Sequence, residues 1–228
     1  GAPQSSLARL DNLTGVNLLY AATPTITVTP TKQTVVYGDT INPTGFVPSG
    51  TVDGDTLTGV GIGGTAVFNT SGGVPANGLR NAGEYNVTYQ SGLTSSLGYA
   101  FEDALLQTDD LIVTPRTLTV TTNNFLGSAT DVVSVTNTEG LIKGQELTGL
   151  TLTQNVLTAA FGENTLAGNY ATTVVVPGAS ASDLTVNRPL TLNGLNLTLL
   201  SDKNINIRNT ITAQGANDKV TLRYGQGA

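Results

Sequence analysis

The sequence predicts a mainly all-β protein: two small modules followed by a series of very short strands. Runs of alternating apolar and polar residues, separated by Gly-rich breaks, predict half-buried strands. A duplication predicts the two modules, because three pairs of segments match in one order. The pairs are GDTLTG (54–59) with GQELTG (144–149), NAGEY (81–85) with LAGNY (166–170), and DLIVTPRTLTV (110–120) with DLTVNRPLTL (183–192).

The amino-acid composition excludes several classes of function. The chain has 228 residues, of which 39% are hydrophobic and only 11% charged, with no Cys, Met, Trp or His. The absence of His excludes His-based triads and His–metal sites, and the absence of Cys excludes disulfides and zinc–thiolate sites. A net charge of −6 without clustered Lys and Arg argues against nucleic-acid binding. This narrow alphabet is common in secreted bacterial β-rich surface proteins.

No apolar run approaches the ~20 residues of a membrane-spanning helix, so we expect a protein that does not span the membrane. The sequence begins at Gly1 without Met or a visible signal peptide. We therefore expect a fragment of a longer chain.

Residues 1–24 are expected to be a lead-in, as a short helix or a strand left over from a preceding unit. The first module is assigned to residues 25–116. Its opening stretch TITVTP alternates as a strand does, and Pro30 favours an edge or a bend there. The stretch 99–107 places apolar residues at helical spacing and predicts a short helix.

The second, shorter module is assigned to residues 117–189, with strands at TLTVTT, DVVSVT, LTGLTLTQ and YATTVVV. A small β-sandwich or β-grasp-like fold is expected for each module.

From residue 190 to 228 the sequence pattern changes to apolar–x–apolar triplets with Asn, Gly or Asp between them. This pattern predicts the start of a right-handed parallel β-helix, and an ordinary hairpin meander is the alternative.

Several of these segments resemble a known family. VVYGD (35–39), DGDTLTG (53–59), NAGEYNVTY (81–89) and LIVTPRTLTV (111–120) are similar to the MBG/YDG-type repeat. Such repeats occur in large bacterial adhesins of the filamentous-haemagglutinin-like class, which are exported by two-partner secretion and built as parallel β-helices. The tail at 205–225 is similar to their β-helix repeats.

The resemblance implies a secreted protein at a Gram-negative cell surface, an outer-membrane secretion partner, and a glycan or exopolysaccharide ligand. The second module departs from the family pattern, because NNFLGSATD (123–131) stands where YGD is expected. A ligand role tied to YGD therefore does not extend to that module.

Ligand binding, if present, is expected in the first module. Aromatic rings stack on sugars and Asp side chains reach sugar hydroxyls, whereas the alternative is that the rings fill the module core. The candidate ligand residues are Tyr37, Asp39, Tyr85, Tyr89 and Tyr99, with Phe101 as a further ring. Tyr85 and Tyr89 are expected to share one face of a single strand.

We expect no enzyme, no cofactor and no metal. The pairs Glu102/Asp103 and Asp109/Asp110 could act in sugar hydrolysis only if both carboxyl groups faced one substrate, and neighbouring strand residues point apart. Asp53 and Asp55 are weak calcium candidates, and DGD is more commonly a turn.

Sequons for asparagine glycosylation occur at four positions, although chance matches are expected in a chain so rich in Asn and Thr. They are Asn12, Asn69, Asn86 and Asn196.

The sequence thus leads to three hypotheses. The first is a segment of a secreted adhesin that attaches to host cells, glycans or biofilm matrix from a rigid stalk. The second is a spacer or cap of that stalk, with binding elsewhere. A polysaccharide-degrading β-helix enzyme is the third and is disfavoured by the missing His.

Overall fold

The computed structural model describes residues 23–52, 54–104 and 110–225. Strands make up 50% of the structure, and the described residues contain a single 3₁₀ turn at Ala167–Asn169, which confirms the mainly β class. The strands are β1 (Thr25–Pro30), β2 (Gln33–Val36), β3 (Phe46–Ser49), β4 (Ile62–Thr70), β5 (Gly83–Tyr85), β6 (Val87–Ser95), β7 (Ala100–Asp103), β8 (Leu111–Thr114), β9 (Arg116–Thr122), β10 (Val135–Glu139), β11 (Leu147–Thr153), β12 (Val156–Phe161), β13 (Tyr170–Pro177), β14 (Leu184–Val186), β15 (Leu190–Leu192), β16 (Asn196–Ser201), β17 (Ile205–Ile207), β18 (Ile211–Ala213) and β19 (Val220–Tyr224).

The chain forms two compact units that do not follow the order of the sequence. The first unit contains the described residues of 1–35, 39–73 and 83–113. The second unit contains residues 36–38 and 74–82 together with the described residues from 114 onward. Two short segments of the first sequence module are therefore part of the second unit. The predicted lead-in, residues 1–24, lies almost entirely outside the described residues.

In the first unit, strand β1 follows the predicted alternation. Ile26 and Val28 are fully buried, and β1 pairs antiparallel with β3 and parallel with β7. Pro30 is the last residue of the strand, beyond the pairing with β7, where its missing N–H breaks no bond to that strand. The expected edge or bend is thus a strand end.

The helix expected at residues 99–107 is wrong where the structure describes it. Ala100–Asp103 is strand β7, and residues 105–109 lie outside the described part. Phe101 packs against the core cluster of Ile26, Val60 and Tyr99, which alternation along a strand explains as well as helical spacing does.

The expected single strand through Tyr85 and Tyr89 is also wrong, because one strand ends at Tyr85 and the next begins at Val87. Tyr85 ends β5, which pairs with β8, whereas Tyr89 lies in β6, which pairs with β4. The two tyrosines consequently belong to different sheets.

The second unit is dominated by parallel pairing. One sheet has the order β10-β9-β13-β16-β19, a second has β11-β12-β15-β18, and a third pairs β14 with β17. The strand expected at DVVSVT begins only at its fifth residue, since β10 is Val135–Glu139.

The short triplets after residue 184 stack in register. Leu184 pairs with Ile205, Leu190 with Ile211 and Leu197 with Val220, always in parallel. The antiparallel meander considered for residues 190–224 is therefore wrong.

The apolar residues of the earlier triplets, up to residue 199, are buried, whereas those of the last strand, β19, are partly exposed to solvent. Leu192, Leu197 and Leu199 are fully buried, but Leu222 is 42% and Tyr224 61% exposed.

Candidate functional site

The repeated phrase forms the same turn in both copies. In the first copy the Asp55 N–H donates to the Val52 carbonyl at 3.0 Å, and Gly54 has φ +77°. In the second copy the Gln145 N–H donates to the Ile142 carbonyl at 2.9 Å, and Gly144 has φ +87°. Glycine is favoured at this step because other residues are strained at positive φ.

A buried tyrosine hydroxyl closes each turn in the same way. The Tyr99 hydroxyl accepts the Val52 N–H at 3.2 Å and donates to the Asp55 carboxylate at 2.8 Å. Within the second unit, the Tyr170 hydroxyl accepts the Ile142 N–H at 3.2 Å and donates to the Gln145 side-chain carbonyl. We call Val52, Gly54 and Asp55 with Tyr99 the first tyrosine-clamped turn, and residues 142–145 with Tyr170 the second.

Both clamping rings are core residues, each 6% exposed. Tyr99 packs with Ile26 and Val60 in the first unit. In the second unit, Phe161 stacks on Tyr170 with ring centroids 6.2 Å apart. A buried phenol must find hydrogen-bond partners, and the turn supplies a donor and an acceptor at once.

The second clamped turn also binds Tyr37, which belongs to the same unit. The Gln145 side-chain N–H donates to the Tyr37 hydroxyl at 2.6 Å, and the Tyr37 ring meets Tyr170 edge-on at 5.6 Å. The Arg116 Nε–H donates to the Tyr37 carbonyl at 2.9 Å, and the Tyr37 N–H donates to the Thr114 carbonyl at 2.9 Å. Tyr37 is fully buried.

Gly38 fits this position for two reasons. Its φ is +88°, and a Cβ there would collide with Cδ1 of Ile142. The Tyr-Gly step therefore combines a ring that fills the core with a residue that lets Ile142 approach the backbone.

A second short segment of the unit is held by Asn169, which is 3% exposed. Its side-chain carbonyl accepts the Ala82 N–H at 2.8 Å, and its side-chain N–H donates to the Asn81 side-chain carbonyl at 3.0 Å. Both ends of this buried amide are thus satisfied.

Electrostatics at the second clamped turn favour the neutral form of the Tyr170 phenol. Burial raises the pKa of Tyr170, and the neighbouring Tyr37 raises it further, whereas the Ile142 N–H and Arg116 act in the opposite direction. Tyr170 therefore stays protonated and remains a donor to Gln145 at neutral pH.

Side-chain hydrogen bonds also join the stacked triplets at their corners. The exposed Asp183 carboxylate accepts both the backbone and side-chain N–H groups of Asn204 and the side-chain N–H of Asn206. Hydrogen bonds from Asn206 and Asn204, with a smaller contribution from Lys203, lower the pKa of Asp183.

The predicted ligand residues do not form one exposed site. Tyr37, Tyr89 and Tyr99 are buried, which agrees with the alternative that these rings fill cores. Asp39 is exposed and Tyr85 is half-buried. Phe101 is half-buried against the first core. Of the predicted set, Asp39 and Tyr85 keep surface that a ligand can reach.

Of the paired carboxylates, Glu102 and Asp103 alternate along β7 and do not face one substrate position. Asp103 accepts the Tyr89 N–H while its neighbour Glu102 is exposed. Asp110 is buried and accepts the Val87 N–H at 3.2 Å, and Asp109 lies outside the described residues.

Asp55 takes the turn role, whereas Asp53 lies outside the described residues. Within the described ranges no three His, Cys, Asp or Glu residues come together as metal ligands.

The sequons differ in exposure. Asn69 is exposed in β4, Asn86 is exposed immediately before β6, and Asn196 is half-buried in β16. Asn12 lies outside the described residues.

Three functional side chains were missed from the sequence: Gln145, Asn169 and Arg188. Gln145 stands where Asp55 stands in the repeated phrase, so the repeat itself was the available signal. Arg188, 8% exposed, donates to the carbonyls of Phe125 and Asp131 and so holds the loop that replaces YGD in the second copy. Isolated polar residues in a strand-rich stretch carry no comparable signal.

Comparison with known proteins gives one match. The model of the MBG domain (YGX type) family matches residues 26–104, which supports an MBG-type repeat module in that part of the chain. MBG domains are found in surface-associated bacterial proteins, which is consistent with an adhesin-like segment and an extracellular or surface location. No curated protein and no solved structure is significantly similar to the chain. No helix of the described residues is long and apolar enough to cross a membrane.

Proposed function

We propose that the chain is a segment of a secreted adhesin of the filamentous-haemagglutinin-like class, exported by two-partner secretion to a Gram-negative cell surface. The observation that carries the proposal is an MBG-type module followed by strand triplets stacked in parallel at a nearly constant interval. The interval is 21, 21 and 23 residues (205 − 184, 211 − 190 and 220 − 197).

The stacked triplets are the first coils of a right-handed parallel β-helix in this proposal. Each coil hydrogen-bonds to the next and buries its inward residues, so a series of coils forms a stiff stalk. A crystal structure of the chain tests this directly. Coils that wind right-handed through residues 184–224 support the stalk, whereas a left-handed path contradicts it.

The adhesive role is assigned to the first unit, through Asp39 and Tyr85. An exposed carboxylate and a half-buried ring suit hydroxyl and C–H contacts to a glycan or exopolysaccharide. The purely structural role, a spacer or cap of the stalk, is favoured by the burial of Tyr37, Tyr89 and Tyr99.

A glycan and matrix-component array with the full chain separates the two roles. We expect binding to at least one glycan, lost in the double variant Asp39→Ala/Tyr85→Phe and kept in Glu102→Ala, which removes another exposed carboxylate of the first unit. A folded chain that binds nothing on the array contradicts the adhesive role and leaves the spacer. Release of sugars from any array component would instead support the enzyme hypothesis.

A further inference from the structure

The Tyr-Gly step of the matched module has a position that its sequence does not suggest. Residues 36–38 and 74–82 lie within the span matched by the MBG domain (YGX type), yet they are part of the second unit. We propose that these two segments complete the fold of the following repeat, and that the Tyr-Gly step serves this purpose rather than ligand binding.

Tyr37 is buried within the second unit. Its ring is fully buried, and the aromatic neighbour it meets edge-on is Tyr170, at the start of β13. A ring buried within the second unit contributes apolar area to that unit's core. Removing it would leave a cavity beside Tyr170.

The hydrogen-bonding groups around Tyr37 also match it. Gln145 offers one acceptor and one donor, which engage the hydroxyls of Tyr170 and Tyr37 respectively. The backbone of Tyr37 is held on both sides, by Thr114 and Arg116. The second clamped turn is thus built to receive a tyrosine followed by glycine, since Ile142 occupies the space of a Cβ at Gly38.

A separate set of hydrogen bonds holds the other inserted segment, residues 74–82. Asn169 holds Asn81 and Ala82 through both ends of its side chain. It is the residue immediately before Tyr170, so the LAGNY segment of the second copy binds both inserted segments. A repeat that supplies Tyr-Gly (37–38) and Asn-Ala (81–82) therefore needs a particular following repeat. That repeat has Gln in its clamped turn and Asn-Tyr (169–170) where its next strand begins.

Amide hydrogen exchange on the full chain tests the proposal. Tyr37→Ala is expected to speed exchange in β11 and β13 about tenfold or more, because loss of the ring opens the second core. Tyr37→Phe keeps the ring and should give a smaller acceleration in the same strands. The matched control is Tyr85→Ala, which removes a half-buried ring of the first unit and should leave β11 and β13 unchanged.

Asn169→Ala gives a local readout at a single amide. The Ala82 N–H loses its acceptor and should exchange about tenfold faster, whereas Asn169→Asp keeps the acceptor and should protect that amide. The proposal is overturned if Tyr37→Ala leaves β11 and β13 as protected as in the wild type. It is equally overturned if Tyr37→Ala accelerates exchange in β1 and β7 as much as in β11 and β13.

Discussion

The two tyrosine-clamped turns make matching hydrogen bonds and differ in the side chain that meets the phenol. Each has a glycine at positive φ and a buried phenol that bonds the first N–H of the turn and the side chain three residues later. That side chain is a carboxylate in the first turn and an amide in the second. Asp55 can only accept a hydrogen bond, whereas Gln145 accepts one and donates another.

This difference explains why the second turn binds two tyrosines and the first binds one. The carboxylate of Asp55 pairs with the hydroxyl of Tyr99, and its partial exposure lets water satisfy what remains. The amide of Gln145 joins the hydroxyls of Tyr170 and Tyr37. At equivalent positions of the repeated turn, an acceptor holds one tyrosine and a donor–acceptor pair holds two.

The largest expected effect comes from Gly38→Ala. The substitution strains a backbone at φ +88° and must displace the terminal Cδ1 of Ile142, so we expect a loss of about 2–3 kcal/mol in the stability of the second unit. Gly144→Ala is the matched control, because its φ is +87° and a Cβ there meets nothing within 4 Å.

Strain alone predicts about 1 kcal/mol for Gly144→Ala. Native-state exchange of β13 amides measures both values. Equal losses at the two glycines would show that close approach to Ile142 contributes nothing.

The next largest effect is expected from truncating the side chain that meets the phenol in each turn, Gln145 or Asp55. Gln145→Ala removes two hydrogen bonds and leaves two buried hydroxyls short of a partner, which predicts a loss of about 2 kcal/mol in the second unit. Asp55→Ala removes one bond from a half-exposed residue and predicts about 1 kcal/mol in the first unit. Amide exchange in β13 and β1 reports the two units separately, and the reverse ranking would argue against the comparison.

Removing the clamping hydroxyls should cost the same in both copies. Tyr99→Phe and Tyr170→Phe each delete a hydroxyl that makes two hydrogen bonds, so each is expected to cost about 1 kcal/mol in its own unit. Exchange measurements on the other unit serve as the internal control. A cost in one unit only would mean that the two turns are not equivalent.

These turns show where sequence reasoning succeeds and where it stops. Period-two alternation identifies β1, β9 and β13, because one face of each strand is buried and the other is not. The repeated phrase identifies the turns. Their side-chain partners are a different matter: Gln145 and Tyr37 are 108 residues apart, and no local pattern encodes such a contact.

The helix expected at residues 99–107 is wrong over the described residues 99–104, and the cause is related. Apolar residues three and four positions apart fit a helix face, but along β7 exposed and half-buried residues alternate as they do in a strand. β7 pairs with β1, whose buried Ile26 opposes Phe101. That tertiary pairing determined the structure of β7, and the short local pattern could not reveal it.

The smallest effect is a loss of stability at high pH. Burial and the neighbouring Tyr37 raise the folded-state pKa of Tyr170 above its ordinary value of 10.0. The contribution of neutral Tyr170 is therefore complete below about pH 10 and is lost as pH rises through the raised pKa.

Thermal unfolding followed from neutral to alkaline pH should show this decline, and Tyr170→Phe should reduce it. If Tyr170→Phe and the wild type decline in parallel, Tyr170 makes no contribution to the pH dependence.

A double-mutant cycle between Tyr37→Phe and Gln145→Ala measures the central contact most directly, because it isolates the bond that distinguishes the second clamped turn from the first. The free energy of opening is taken from exchange of β13 amides in the wild type, both single variants and the double variant. We predict a coupling energy of about 1 kcal/mol, the typical value of a buried hydrogen bond between side chains in contact. A coupling near zero would contradict the account, since Tyr37 would then be buried in the second unit without being bound by its turn.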